Sequence, residues 1–132
     1  MTKIFFEELQ QTAKIMLRLE KILQKQKLNL VIVPGDTNST LAEALTATKL
    51  HIPVAHIEAG ARSYDIKMPE EKNRRLTDHC STVLFTPAEN CTKNLIKEEI
   101  KITKTGGTIL LLQRKHRQNL TLSTRTEPPL IF

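Results

Sequence analysis

The chain is short of the residues that mark several common protein classes. Its two cysteines, Cys80 and Cys91, lack the paired spacing of a disulfide framework. Reduced thiols in a cytoplasmic protein are the reading that fits them. No apolar run approaches the roughly 20 residues needed to span a bilayer. The start, Met1-Thr2-Lys3-Ile4-Phe5-Phe6-Glu7-Glu8, turns acidic where a secretory signal needs its apolar stretch. Aromatics are scarce, four Phe and one Tyr, so the stacking platform that nucleic-acid binders combine with a basic face is missing. The net charge of +6 does not restore that reading, because it is lopsided. Between residues 110 and 132, four basic residues (Arg114, Lys115, Arg117, Arg125) stand against one acid, Glu127, for a net +3, half of the total. No Gly-x-Gly-x-x-Gly run occurs. No grouping of His, Cys, Asp and Glu has the spacing of a zinc or calcium site, so no metal is expected.

What is present is an alternation of helical and strand patterns. At 132 residues the chain is one domain's worth of sequence, long enough to bury a core. From Phe5 to about Gln26, Leu9, Ala13, Met16, Leu19 and Leu23 recur at three and four, widened by Phe6, Ile15 and Ile22. That spacing predicts a long amphipathic helix. Leu28 to Val33 is a short, β-branched run stopped by Pro34-Gly35. Its apolar residues fall on both parities, as in a covered strand of a parallel sheet. Asp36-Thr37-Asn38-Ser39 then offers helix-capping side chains ahead of Leu41, Ala42, Leu45 and Leu50. The pattern repeats with a strand at Pro53–Ile57, a helix opened by Pro69-Glu70-Glu71, a strand at Thr82–Thr86 and a helix from Ala88 to about Glu99. Strands separated by single helices predict right-handed βαβ units, and hence a parallel α/β sheet with helices on both faces. Past Gly106-Gly107 the periodicity fades, and residues 110–132 are expected to form an unrelated or disordered basic tail. A flexible terminus and a change of coding frame both account for it.

In an open parallel sheet, ligands sit outside the carboxyl ends of the strands. Asp36, Glu58 and Glu70 all fall at that edge, and acids crowded in a cleft become usable for proton transfer near neutral pH. Each also has a plainer reading. Asp36 suits a helix cap. Glu70 and Glu71 suit the positive end of a helix dipole. Glu58 directly follows an apolar strand, with Gly60 allowing close backbone approach, and reads best as a ligand-facing acid. His56, inside a strand, reads as a hydrogen-bonded core residue. His79 closes a helix, where a cation suits the dipole.

Taken in order, these turns resemble the non-hydrolysing UDP-N-acetylglucosamine 2-epimerases. The segments that carry the resemblance are Gly35-Asp36-Thr37, Pro53-Val54-Ala55-His56-Ile57-Glu58-Ala59-Gly60, Arg62-Ser63, Pro69-Glu70-Glu71, Asn73-Arg74 and Leu76-Thr77-Asp78-His79. The resemblance covers about Phe5 to Ile109. It implies that residues 1–109 are a partial Rossmann-like N-terminal lobe of a two-lobed, glycosyltransferase-B-like enzyme with its site between the lobes. It implies an isomerase that interconverts UDP-N-acetylglucosamine and UDP-N-acetylmannosamine by removing the C2 proton, expelling UDP and adding it back to 2-acetamidoglucal. No cofactor and no metal are implied. The family's acidic catalytic positions carry over to Asp36, Glu58 and Glu70, with Arg62, Arg74, Asp78 and His79 as supporting or substrate-contacting groups. The implied partners are a UDP-sugar and a second copy in a homodimer, with no nucleic acid and no membrane.

The sequence also departs from the family pattern. Ala61 stands where a larger apolar residue usually follows Glu-Ala-Gly. The opening βα units and the UDP-binding lobe are not found, so the chain by itself is expected to be inactive. Two other functions stay open: a non-catalytic α/β interaction module that keeps the acids as caps, and a related sugar-nucleotide glycosyltransferase or hydrolysing epimerase.

Overall fold

A computed structural model describes residues 3–104 and 110–113. The order is α1 (Lys3–Lys25), β1 (Val31–Pro34), α2 (Asn38–Lys49), β2 (Val54–Ile57), α3 (Pro69–Cys80), β3 (Val83–Phe85), α4 (Glu89–Lys97), β4 (Ile102–Lys104) and β5 (Leu110–Gln113). β1, β2 and β3 are adjacent and parallel, with Val33 beside His56 and His56 beside Leu84. This is the parallel α/β arrangement that the βα alternation predicts.

The helices do not divide between two faces as expected. Register places Val31, Val33, Val54, His56 and Leu84 on one side of the sheet. Leu23 of α1 and Ala44 and Ala47 of α2 pack with Val31, Val33 and Val54, while Leu95 of α4 packs with Leu84 and Ala59. Strands laid down in chain order through right-handed crossovers put every crossover helix on the same side. Covering the second face takes a reversal of strand order, and β1–β2–β3 contains none.

The long α1 pattern is only half used. Leu19 and Leu23 are buried, yet Leu9 is 69% exposed and Ile22 43%.

A second departure concerns the expected tail. Leu110–Gln113 forms β5, antiparallel to β3 and to β4, in a sheet ordered β1-β2-β3-β5-β4. A short apolar run beside the open edge of β3 satisfies that edge's backbone groups, which a reading based on periodicity alone passes over. The expectation for residues 114–132 lies outside the described residues.

Candidate active site

The Gly35-Asp36 turn that leaves β1 is held from three directions. Gly35 has φ +72°, a left-handed conformation in which a β-carbon is strained. The Gly35 amide donates to the Ile57 carbonyl at 3.1 Å. Three successive carbonyls then each accept from a different side chain: Pro34 from Thr40 Oγ1 at 2.6 Å, Gly35 from His56 Nε2 at 2.8 Å and Asp36 from Asn73 Nδ2 at 3.0 Å. The Asp36 carboxylate forms an ion pair with Arg74 of α3. Asp36 is therefore not the cap of α2. Thr37 has that role, its hydroxyl accepting from the Thr40 amide at 3.2 Å.

Glu70 and Glu71 are neighbours with opposite placements. Proline at the start of α3 fixes the first turn, and from there Glu70 turns to solvent while Glu71 turns inward. Glu70 lines a cavity of about 200 Å³ together with Thr37, Asn38, Ser39 and Asn73. Asn73 bonds both Asn38 and the Asp36 carbonyl, which ties the Asp36 turn to the wall of this cavity, although neither Asp36 nor Glu58 lines it. Glu58 stands at the end of the adjacent strand, since Pro34 and Ile57 are register partners. Its side chain is exposed and its φ is 72°. No described contact joins Glu58 to the other two acids. A non-glycine residue in that conformation costs on the order of 1–2 kcal/mol, strain of a kind that collects at functional positions.

Glu71, read from the sequence only as a dipole-favoured acid, is the anchor of the loop before α3. It accepts from the Ser63 amide at 2.8 Å, the Ser63 hydroxyl at 3.1 Å and Arg75 Nε at 2.9 Å. Burial opposes its ionisation, but these donors outweigh burial and hold the carboxyl down at about 2, from an ordinary 4.5. A group with a depressed folded-state value stabilises the fold above the unfolded value, and that contribution fades as pH falls. Stability should therefore drop between pH 4.5 and about 2. Thermal melts across that range should show a shallower loss in Glu71→Gln than in the unaltered chain; parallel slopes would exclude Glu71 as the responsible group.

The supporting residues form a second, buried network. The Arg62 side chain is fully buried and pairs with Asp78 at 2.8 Å and Glu98 at 2.7 Å. Burial disfavours its charge, but the two carboxylates outweigh that and raise its affinity for the proton. The hydrogen bond from Arg62 in turn holds Glu98 below the usual carboxylate range. Asp78 is also fully buried, accepting from the Gly60 amide at 3.0 Å and facing His56 Nδ1 at 2.6 Å. Arg62 and Asp78 thus brace the loop after β2. Arg74 touches Asp36, and the half-exposed His79 lies 3.8 Å from Glu98.

A family model described as UDP-N-acetylglucosamine 2-epimerase matches residues 7–128. The chain belongs to that epimerase family. The match carries the family past residue 109, where the sequence pattern fades. A curated UDP-N-acetylglucosamine 2-epimerase of Methanocaldococcus jannaschii is 46% identical over 96% of this chain and 39% of its own length. A UDP-2,3-diacetamido-2,3-dideoxy-D-glucuronate 2-epimerase of Pseudomonas aeruginosa is 45% identical over 74% of this chain and 32% of its own. A crystal structure of the M. jannaschii UDP-GlcNAc 2-epimerase in complex with UDP-GlcNAc and UDP is similar with a TM-score of 0.68. The alignment is 55% identical and covers 69% of this chain and 25% of that one. The epimerase likeness makes the sheet part of a Rossmann-like, glycosyltransferase-B-like fold. The chain spans less than two fifths of the length of the curated relatives named here. No described helix is long and apolar enough to cross a membrane.

Proposed function

We propose that this chain supplies the acid-bearing wall of a UDP-sugar 2-epimerase site, with Asp36, Glu58 and Glu70 around the sugar. The observation that carries the reading is the Asp36 turn, gripped by Thr40, His56, Asn73 and Arg74. Merely solvated surface acids need no such support. Removing a proton beside an acetamido group takes a positioned base, and return of a proton on the other face takes an acid; carboxyl groups at neighbouring strand ends provide both. UDP leaves and re-adds across the resulting double bond, its charge held by amides and cations. Arg74 orients Asp36, while Arg62 and Asp78 act only through the loop they brace. The expected roles are cytoplasmic, with no cofactor, in a homodimer.

UDP-N-acetylglucosamine is the first substrate to test. The Pseudomonas relative favours a second reading, in which the same C2 chemistry acts on a UDP-uronate carrying a second acetamido group. Product analysis with both sugars, using the protein that contains this chain, separates the two. The domain proposal, a single partial Rossmann-like lobe, predicts that a polypeptide of residues 1–132 is inactive. A cleft needs two walls to orient a reactant, and orientation contributes several kcal/mol of barrier lowering. Turnover by that polypeptide would show that one wall suffices.

A further inference from the structure

His56 is buried in the sheet, yet both of its ring nitrogens face acceptors. Nε2 lies 2.8 Å from the Gly35 carbonyl oxygen, which only accepts, so Nε2 carries a proton. Nδ1 lies 2.6 Å from Oδ1 of Asp78. A neutral ring with its proton on Nε2 would set the Nδ1 lone pair against that oxygen, so a second proton sits between them. The other carboxylate oxygen, Oδ2, is 2.8 Å from Arg62 Nη1 and accepts from the Gly60 amide at 3.0 Å. Two donors, one of them a guanidinium, favour the ionised carboxylate and place the shared proton on the histidine.

We propose that His56 is held as an imidazolium by Asp78 and serves as a positioning residue for Asp36, fixing the peptide that enters it. Among the described residues, the charges around this pair come from four segments. Asp78, Arg75 and His79 stand on α3, Arg62 on the loop after β2 and Glu98 at the end of α4, with the Asp36–Arg74 pair beyond the Gly35 carbonyl. Arg62 links Asp78 to Glu98, and Arg75, Glu71 and Arg74 carry the chain of ion pairs on to Asp36, so the loop after β2, the end of α4 and the Asp36 turn share one ionic network. The His56 side chain never meets substrate; it acts through the main chain of Gly35.

The protonation half of this inference is independent of the proposed epimerase activity, whereas the positioning half rests on it. The decisive measurement is a nitrogen-15 spectrum of histidine-labelled, substrate-free protein at about pH 7, near where an ordinary imidazole is mostly neutral. Two slowly exchanging N–H protons on His56 are expected. One protonated nitrogen would overturn the proposal. In folded Asp78→Asn the Nδ1 proton should be lost while Nε2–H persists; retention of both would show that Asp78 is not the cause. In the active protein, His56→Gln keeps one amide donor, and His56→Leu keeps none. Leucine should lower kcat by about 10²-fold, as a misplaced reacting group does, with KM little changed and partial recovery in glutamine. A folded His56→Leu protein with full kcat would remove the positioning role even where the spectrum holds.

Discussion

Gly60→Ala is expected to lower stability by roughly 2–5 kcal/mol, the sum of a left-handed backbone and an overpacked contact. Gly60 has φ +79°, and a β-carbon there would stand 2.4 Å from the Cys91 carbonyl oxygen. That neighbour is main chain at the start of α4, so it has no rotamer to swing away. The same residue donates its amide to Asp78 and accepts from Asn94 Nδ2 at 3.0 Å. Any shift that relieves the clash therefore pulls on the buried Asp78 pair as well. Chemical denaturation should show the loss as a lower midpoint with an unchanged slope. An alanine variant as stable as the parent would mean that α4 lies farther from the loop than described.

Glu58 should separate stability from activity. In Glu58→Gly the left-handed φ of 72° becomes unstrained, so that variant should gain about 1 kcal/mol over the parent. Glu58→Gln keeps the strain and the shape and should melt like the parent. Both should lose activity by about 10²–10⁴, the usual consequence of deleting a proton-transfer group. A structural acid behaves differently: its removal lowers stability and leaves turnover nearly unchanged. Equal activity in Glu58→Gln and the parent would assign Glu58 to that class.

Much of this arrangement is legible in the sequence. Three parallel strands and their crossover helices follow from apolar runs, Pro-Gly stops and helix-opening residues, because those signals are local. Placement of the helices on one face is not local. It depends on the order of strands in the sheet, which no single βα unit encodes. β5 escapes for the same reason, since a run such as Leu110-Leu111-Leu112 becomes a strand only beside an open edge.

At the site, the acids are readable but their partners are not. Asp36 and Thr37 are equally plausible caps by residue type, and Arg74, on α3 and beyond all of α2 and β2 in sequence, decides between them. Glu70 and Glu71 are chemically identical in the first turn of α3; helix rotation alone sends one to the cavity and the other to Ser63 and Arg75. Asn73 bonds two residues more than thirty positions earlier, a link for which the sequence offers no signal beyond the motif itself. His56 was readable as a bonded core residue from its position in a strand, although its two acceptors were not.

The most direct test of the proposed site is exchange of the C2 proton of UDP-N-acetylglucosamine with deuterated water, catalysed by the active protein containing this chain. Asp36→Asn, Glu58→Gln and Glu70→Gln are each compared with the parent after folding is verified. If the three acids act on one sugar, the parent incorporates deuterium at C2 and each variant does so about 10²–10⁴ more slowly. Undiminished exchange in all three variants would contradict the account, leaving these carboxylates as fixtures of the fold.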